Sequence, residues 1–371
     1  MTSITRQQLF SMIFLFEMGS AVIVGLGLQA KQDAWISIGI GMLCGISIFT
    51  VYLYLFSLFP QLTLLGILRK VLGKYAGTLC SVLYIMYFFY LASRVMRDFT
   101  GLLLMTSLQE TPPFVISGTM TMILIYCIYL GTAVLGRTSE ILFAVFILFW
   151  VFSFALLGVS GSMKFSNLLP VLDQGWGPIL KASFPLTMTF PFGESIVFLM
   201  FLNRLQQKKK LSRICLISLA ISGLILMLTI AMDVMALGPE RASMEQFPFL
   251  SAVSRIQIGD FIQRLDAIAI STLIIGAFFK IVVFFYASYI GIQELIPAFR
   301  EGKKMLFLLI AMGVSIMGLT LLIANNFIQH LYIGLQLVPL YLHVPFQYVV
   351  PCLIAVWAYL VYTKKAAPKA A

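Results

Sequence analysis

Ten stretches of mostly apolar residues follow one another along the chain, each long enough for a helical membrane crossing at roughly 20 residues. Their approximate bounds are 9–29, 36–58, 78–106, 114–135, 141–161, 183–203, 213–237, 265–292, 305–325 and 338–362. They predict ten spanning helices, numbered here span one to span ten, and leave little chain for a soluble domain. The sixth departs from the pattern: FPLTMTFPFGESIVFLMFL, from Phe184 to Leu202, is interrupted by Pro185, Pro191 and Gly193 and carries Glu194 near its middle. Proline removes an amide donor and glycine permits backbone angles other residues resist, so the helix is expected to break. Irregular backbone at membrane depth is tolerated where it lines a polar cavity or is covered by protein, and discontinuous helices build the sites of many secondary transporters.

Span one reads FLFEMGSAVIVGLG, with Glu17 in mid-membrane followed by Met18, Gly19, Ser20 and Ala21. Small residues here have two uses: close helix packing, or an unwound segment whose amides face a ligand. Symmetry bears on the choice. Spans one and six each combine small residues with a central glutamate, and with ten spans they are the first helices of two five-helix halves running in opposite directions. A single membrane domain, 1–371, is therefore expected to hold inverted repeats of about 9–161 and 183–362, with loops 162–182 and 238–264 at the outer face.

Composition agrees with the pattern: 61% of residues are hydrophobic and 11% charged, with a mean hydropathy of +1.00. A net charge of +11 raises the question of nucleic acid. Its distribution answers it. With the N-terminus inside, sixteen of the 25 cations fall on inner segments, namely Arg6, Arg69, Lys70, Lys74, Arg137, Arg204, Lys208, Lys209, Lys210, Arg213, Arg300, Lys303, Lys304, Lys364, Lys365 and Lys369. Lys31, Lys164, Lys181, Arg241, Arg255 and Arg264 fall outside. The asymmetry places both termini in the cytoplasm and assigns the basic clusters to topology, with anionic-lipid contact secondary and no nucleic-acid partner. The first apolar run lacks a small-residue cleavage site and reads as a span rather than a signal peptide.

Local signals fill in the connections. Asp33 is placed to cap span two, with Trp35 at the interface. QLTLLGILRKVLGKYAG after Pro60 has the look of an amphipathic interfacial helix. The outer loop before span six, with its prolines, glycines and Trp176, reads as an ordered lid, and the one after span seven predicts a short helix over 244–256. Asp233 is expected at the outer interface. Pro339, Pro345 and Pro351 divide the last segment into an outer piece and a final span.

Charges at depth carry the candidate chemistry. On span three Tyr84, Tyr87 and Tyr90 recur every third residue, and Arg94 and Asp98 are four apart and can pair, with Arg97 on nearly the same side. They face either the bundle interior or the outer interface. Lys280, some fourteen residues in from Asp266, needs a partner near mid-membrane, and Glu194 and Glu17 are the acids at that depth. Two roles stand side by side: a structural ion pair, or a fixed positive charge where a sodium-coupled relative would bind its ion. Spans nine and ten offer no ionisable residue at depth. Cys44, Cys80, Cys127, Cys215 and Cys352 read as packed hydrophobes, and His330 and His343 stand apart from acids and thiols. No nucleophile motif, P-loop or dinucleotide fingerprint occurs, so neither an enzyme nor a metal or cofactor site is expected.

Several local motifs together resemble the GerAB-type (B-subunit) spore germination proteins of endospore-forming bacteria. They are QDAW at Gln32 to Trp35, Arg97-Asp98, TP at Thr111 and Pro112, NLLPVL at Asn167 to Leu172, PFGE at Pro191 to Glu194, LGP at Leu237 to Pro239, RLD at Arg264 to Asp266, and Lys280. None is specific alone; their order and spacing are. The resemblance implies a member of the amino acid/polyamine/organocation superfamily with a LeuT-like five-plus-five fold. It also implies a small-molecule sensor of the spore inner membrane that assembles with A-type and C-type subunits.

On that reading a small germinant, most simply an L-amino acid, sits between broken spans one and six. Amides around Gly19, Ser20 and Ala21 would take a carboxylate at a half-helix N-terminus. Carbonyls around Thr189, Phe190, Pro191, Phe192 and Gly193 would take the ammonium, and Tyr87 and Tyr90 would wall the pocket. Glu17, Arg97, Asp98, Glu194 and Lys280 are the candidate charge or coupling residues. The broken-helix pattern by itself equally fits an amino acid transporter, proton-coupled through Glu17, Glu194 or Lys280.

Overall fold

The computed structural model describes residues 3–256 and 266–363. Arg264 of the RLD motif and the cations Lys364, Lys365 and Lys369 lie outside the described residues. Those that are described form an all-α bundle in which an isolated bridge between Ile4 and Leu205 is the only extended pairing. Among the described residues nine helices are long and apolar enough to span a membrane: Arg6–Val24, Leu28–Leu58, Lys74–Thr106, Pro113–Leu130, Thr132–Val159, Leu211–Leu237, Asp266–Leu295, Gly302–Leu322 and Pro339–Tyr362. They are spans one to five and seven to ten. Phenylalanine, leucine and methionine side chains stand exposed around the bundle, Phe307, Leu353 and Met122 among them. Such an apolar perimeter suits lipid, and the chain is an integral membrane protein.

Span six is absent from that set because it is broken, as its prolines and glycine predict. Residues Trp176–Ala182 are α-helical, Ser183–Thr187 form a π turn, and after Phe190 and Pro191 the chain tightens into a 3₁₀ helix over Phe192–Met200. Span one also bends, at Gly19, whose backbone leaves the helical region. Spans three and eight pack against each other along their length; span one packs on seven and eight, and span six on two.

Glycine is used where spans approach most closely. A Cβ on Gly19 would come within 2.5 Å of the Lys280 Cδ, and one on Gly276 within 3.1 Å of the Gly19 carbonyl oxygen. Spans one and eight therefore touch through backbone and a lysine stem at the bend.

Several local expectations are corrected by longer-range partners. Asp33 makes no cap bond to span two; both its carboxylate oxygens accept the Leu172 amide at 3.1 Å, while Gln32 donates to the Pro170 carbonyl at 3.3 Å. QDAW and NLLPVL thus meet and fasten the 162–182 loop to the turn after span one. In place of one helix over 244–256 there are two, Pro239–Met244 and Pro248–Val253, each opening on a proline that lacks the amide a helix N-terminus leaves unpaired anyway. Asp233 is wholly buried rather than interfacial. Cys352 is exposed on span ten rather than packed. The amphipathic segment forms Leu64–Leu72, capped by the Thr63 hydroxyl, with Leu64, Leu65, Ile67, Leu68 and Val71 inward and Arg69 and Lys70 in its last turn.

Candidate functional site

The breaks in spans one and six, the middle of span three and the irregular start of span ten surround one cavity. Ser20 and Val24 come from span one, Leu91, Arg94, Val95 and Asp98 from span three, and Phe190 and Glu194 from span six. Leu331, Gly334, Leu335 and Val338 come from the segment that leads into span ten, and His343 from the first turns of span ten itself. The space between these residues, its opening included, is about 430 Å³. Toward the end of the bundle that carries the long loops lies a second space of about 700 Å³ lined by Gly25, Gly27, Gln29, Ser243, Glu245 and Gln246. Val24, Leu331 and Leu335 line both spaces and form an apolar layer between them.

Below the cavity sits a buried ion pair. Lys280 Nζ is 2.5 Å from Glu194 Oε2, and neither side chain reaches solvent. The ammonium also lies 4.4 Å from the Phe190 ring centroid and 5.0 Å from that of Phe16, where the ring faces offer further attraction. Lys280 has the partner its depth demanded, and Glu194 is the acid that supplies it. Glu17 is buried beside them, and neither of its oxygens has a hydrogen-bond partner among the described residues.

The other Glu194 oxygen is 3.7 Å from His343 Nε2, and His343 Nδ1 is 2.6 Å from the Tyr87 hydroxyl. Gln347 Nε2 donates to that same hydroxyl at 2.8 Å. An oxygen already accepting from Gln347 donates its own proton to Nδ1, which leaves Nε2–H directed at Glu194; this tautomer follows from the network. The Tyr52 hydroxyl of span two reaches the Gln347 carbonyl at 2.6 Å and the Gly193 carbonyl at 3.2 Å. It satisfies acceptors that the irregular turns of spans six and ten free from helical bonding. Tyr52→Phe is expected to lower stability by about 1–3 kcal/mol, since the one proton that two buried carbonyls share is lost. Thermal unfolding of the purified protein measures it, and an unchanged midpoint would contradict the role.

On span three the expected Arg94–Asp98 pair gives way to a shared partner. Asp98 Oδ1 accepts from His330 Nε2 at 2.8 Å, and Arg94 Nη2 donates to the His330 carbonyl at 2.5 Å. Helical spacing put Arg94 and Asp98 on one face; a third residue from the segment before span ten divides them. Both histidines therefore sit beside acids, contrary to their apparent isolation in the sequence, and His343 is an ionisable residue at depth on span ten. Among the described residues no three histidine, cysteine or acidic side chains gather as a metal site.

Of the residues singled out from the sequence, Ser20, Arg94, Asp98, Phe190 and Glu194 line the cavity. Lys280 and Tyr87 stand one contact behind it, through Glu194 and His343 respectively. Gly19 is covered by the Lys280 stem, and Ala21 is buried away from the cavity. Phe192 packs on Gly45 of span two, the Thr189 hydroxyl donates to the Pro185 carbonyl, and Gly193 abuts Gln347. The Pro191 carbonyl accepts the Glu194 amide. Tyr90 lies 6.0 Å under the Arg94 guanidinium, and Arg97 is not among the lining residues. The residues before and within span ten were missed altogether; the prolines at 339, 345 and 351 were the available signal that its register is irregular.

Comparison with known proteins places this architecture. The sequence model of the family described as "Spore germination protein" matches residues 3–328. The chain is 38% identical over 359 residues to Spore germination protein KB of Bacillus subtilis (strain 168), covering 95% of each chain. It is 24% identical to Spore germination protein YndE of the same organism, over 71% of this chain and 72% of the relative. It is 27% identical to Spore germination protein XB of Bacillus anthracis, over 47% and 48%. A match of this extent, running through both breaks and Lys280, means that the chain belongs to the spore germination protein family.

Proposed function

We propose that this chain is the ligand-binding B-type subunit of a germinant receptor, acting in the spore inner membrane with A-type and C-type partners and both termini on the core side. The germinant is a small molecule, most simply an L-amino acid, taken into the cavity between spans one, three, six and ten. The observation that carries this reading is the cavity itself. It lies at two helix breaks and joins apolar walls to a few convergent polar groups, as small-ligand sites do. Membership of a spore germination family supplies the biological setting.

A LeuT-like pair of inverted repeats is part of the proposal. Under a five-span offset, one corresponds to six, two to seven and three to eight. Such a two-fold relation accounts for the contacts of three with eight, and for one on seven matching six on two. The charge distribution orients the loop-bearing end outward. A germinant would then arrive through the space beneath residues 243–246 and pass the layer of Val24, Leu331 and Leu335. Its signal is the difference in its affinity for the two states of the bundle.

The test is germinant-triggered dipicolinate release from spores carrying Leu335→Trp, which fills the cavity mouth and leaves every charged residue in place. Loss of the response is expected, and an unchanged dose response would overturn the site. The same buried charges at broken helices favour a second reading, an amino acid transporter. Purified protein in liposomes separates the two: binding without flux fits the sensor, and substrate accumulation the transporter.

A further inference from the structure

Arg94 has one guanidinium nitrogen engaged and one spare. Nη2 is fixed by the His330 carbonyl, while Nη1 is buried with no hydrogen-bond partner among the described residues. The residue is 7% exposed and lines the cavity. Its seat is built for it: a Cβ on Gly334 would fall on the guanidinium, so only glycine lets that group lie against the chain before span ten. Across the same cavity is Ser20, 1% exposed, whose hydroxyl likewise has no partner among the described residues.

A buried guanidinium donor without an acceptor is costly, and so is an idle hydroxyl. Neither is supplied by neighbouring acids. Asp98 is turned to His330, and Glu194 is held by Lys280. Lys280 is itself occupied by Glu194 and two aromatic faces and is not among the lining residues. Arg94 is thus the one lysine or arginine among the residues lining the cavity.

We propose that Arg94 Nη1 and Ser20 Oγ form the anion subsite of the cavity and receive a carboxylate of the germinant. This assignment rests on the proposed ligand role and narrows it. The germinant class is a small carboxylate, an amino acid rather than an uncharged sugar or nucleoside. Asp98, one turn along span three, and Glu194 of span six offer acceptors to its ammonium, and Val24, Leu91, Val95 and Leu335 enclose a small apolar side chain. The carboxylate subsite lies on the guanidinium of span three and not on the amides at Gly19.

Equilibrium binding to the purified chain in detergent tests this, with L-alanine and L-valine as probes against their amides, propionate, glucose and inosine. For the wild type, the acid is expected to bind at least about tenfold more tightly than its amide, because the charge-assisted contact is lost with the carboxylate. Arg94→Gln should shrink that ratio to within about threefold, Gly334→Ala should do the same, and Arg94→Lys should keep part of it. An acid-to-amide ratio in Arg94→Gln equal to that of the wild type overturns the subsite and leaves the proposed function standing. If Arg94→Gln fails to fold, the wild-type ratio and the Gly334→Ala ratio decide, and no preference in the wild type overturns the subsite. Binding of glucose or inosine with no amino acid bound, or binding of no probe at all by the wild type, overturns the amino acid reading itself and the subsite with it.

Discussion

Lys280→Met is expected to destabilise the protein by about 3–5 kcal/mol, because it leaves the buried Glu194 carboxylate without its counter-charge. The partner change shows what kind of effect this is. Glu194→Gln together with Lys280→Met removes both charges and is expected to recover most of the loss, since a buried pair contributes far less than either orphaned charge costs. Thermal unfolding and yield of the purified variants measure it. Equal losses in the single and double variants would show that the pair's electrostatics do not govern stability here. Glu17, buried close by with neither oxygen partnered among the described residues, sharpens the expectation, since Lys280 is the nearby cation that offsets two acids.

Gly19→Leu should be nearly as severe and for a different reason. Its first added carbon already meets the Lys280 stem at 2.5 Å, and the backbone of span one lies against Gly276 across the same contact. The branch must push span one from span eight or drive Lys280 from Glu194, at a cost of about 1–3 kcal/mol or more for overpacking. Spores carrying it are expected to lose germinant-triggered dipicolinate release, with Gly19→Ala intermediate. A wild-type dose response in Gly19→Leu would show that the bend need not be closed against span eight.

The sequence made the spans legible because each is a long, mostly apolar run, and it made the break in span six legible because proline and glycine have intrinsic backbone consequences. Lys280 could be assigned an acidic partner from depth alone, since a charge so placed needs one wherever it sits. What stayed hidden depended on tertiary register. The i, i+4 spacing of Arg94 and Asp98 fixes a shared face but says nothing of a third residue arriving from elsewhere, and His330 took both. Asp33 obeyed the same logic: a local cap lost to the Leu172 amide, 139 residues away. His343 and Gln347 lie on π-type turns, so counting 3.6 residues per turn from either end would misplace them. Their role became visible only with Tyr87 and Tyr52 beside them.

Val24, Leu331 and Leu335 have one more consequence, which concerns time. A polar molecule crossing that layer sheds water before it meets any compensating group beneath, so on the proposed function the layer sets a delay, whereas the groups below set a threshold concentration. In a spore population these are separate observables, the lag before release and the half-maximal dose. Variation at Leu331, the member of the layer that takes no part in enclosing the germinant side chain, would move the first and leave the second in place.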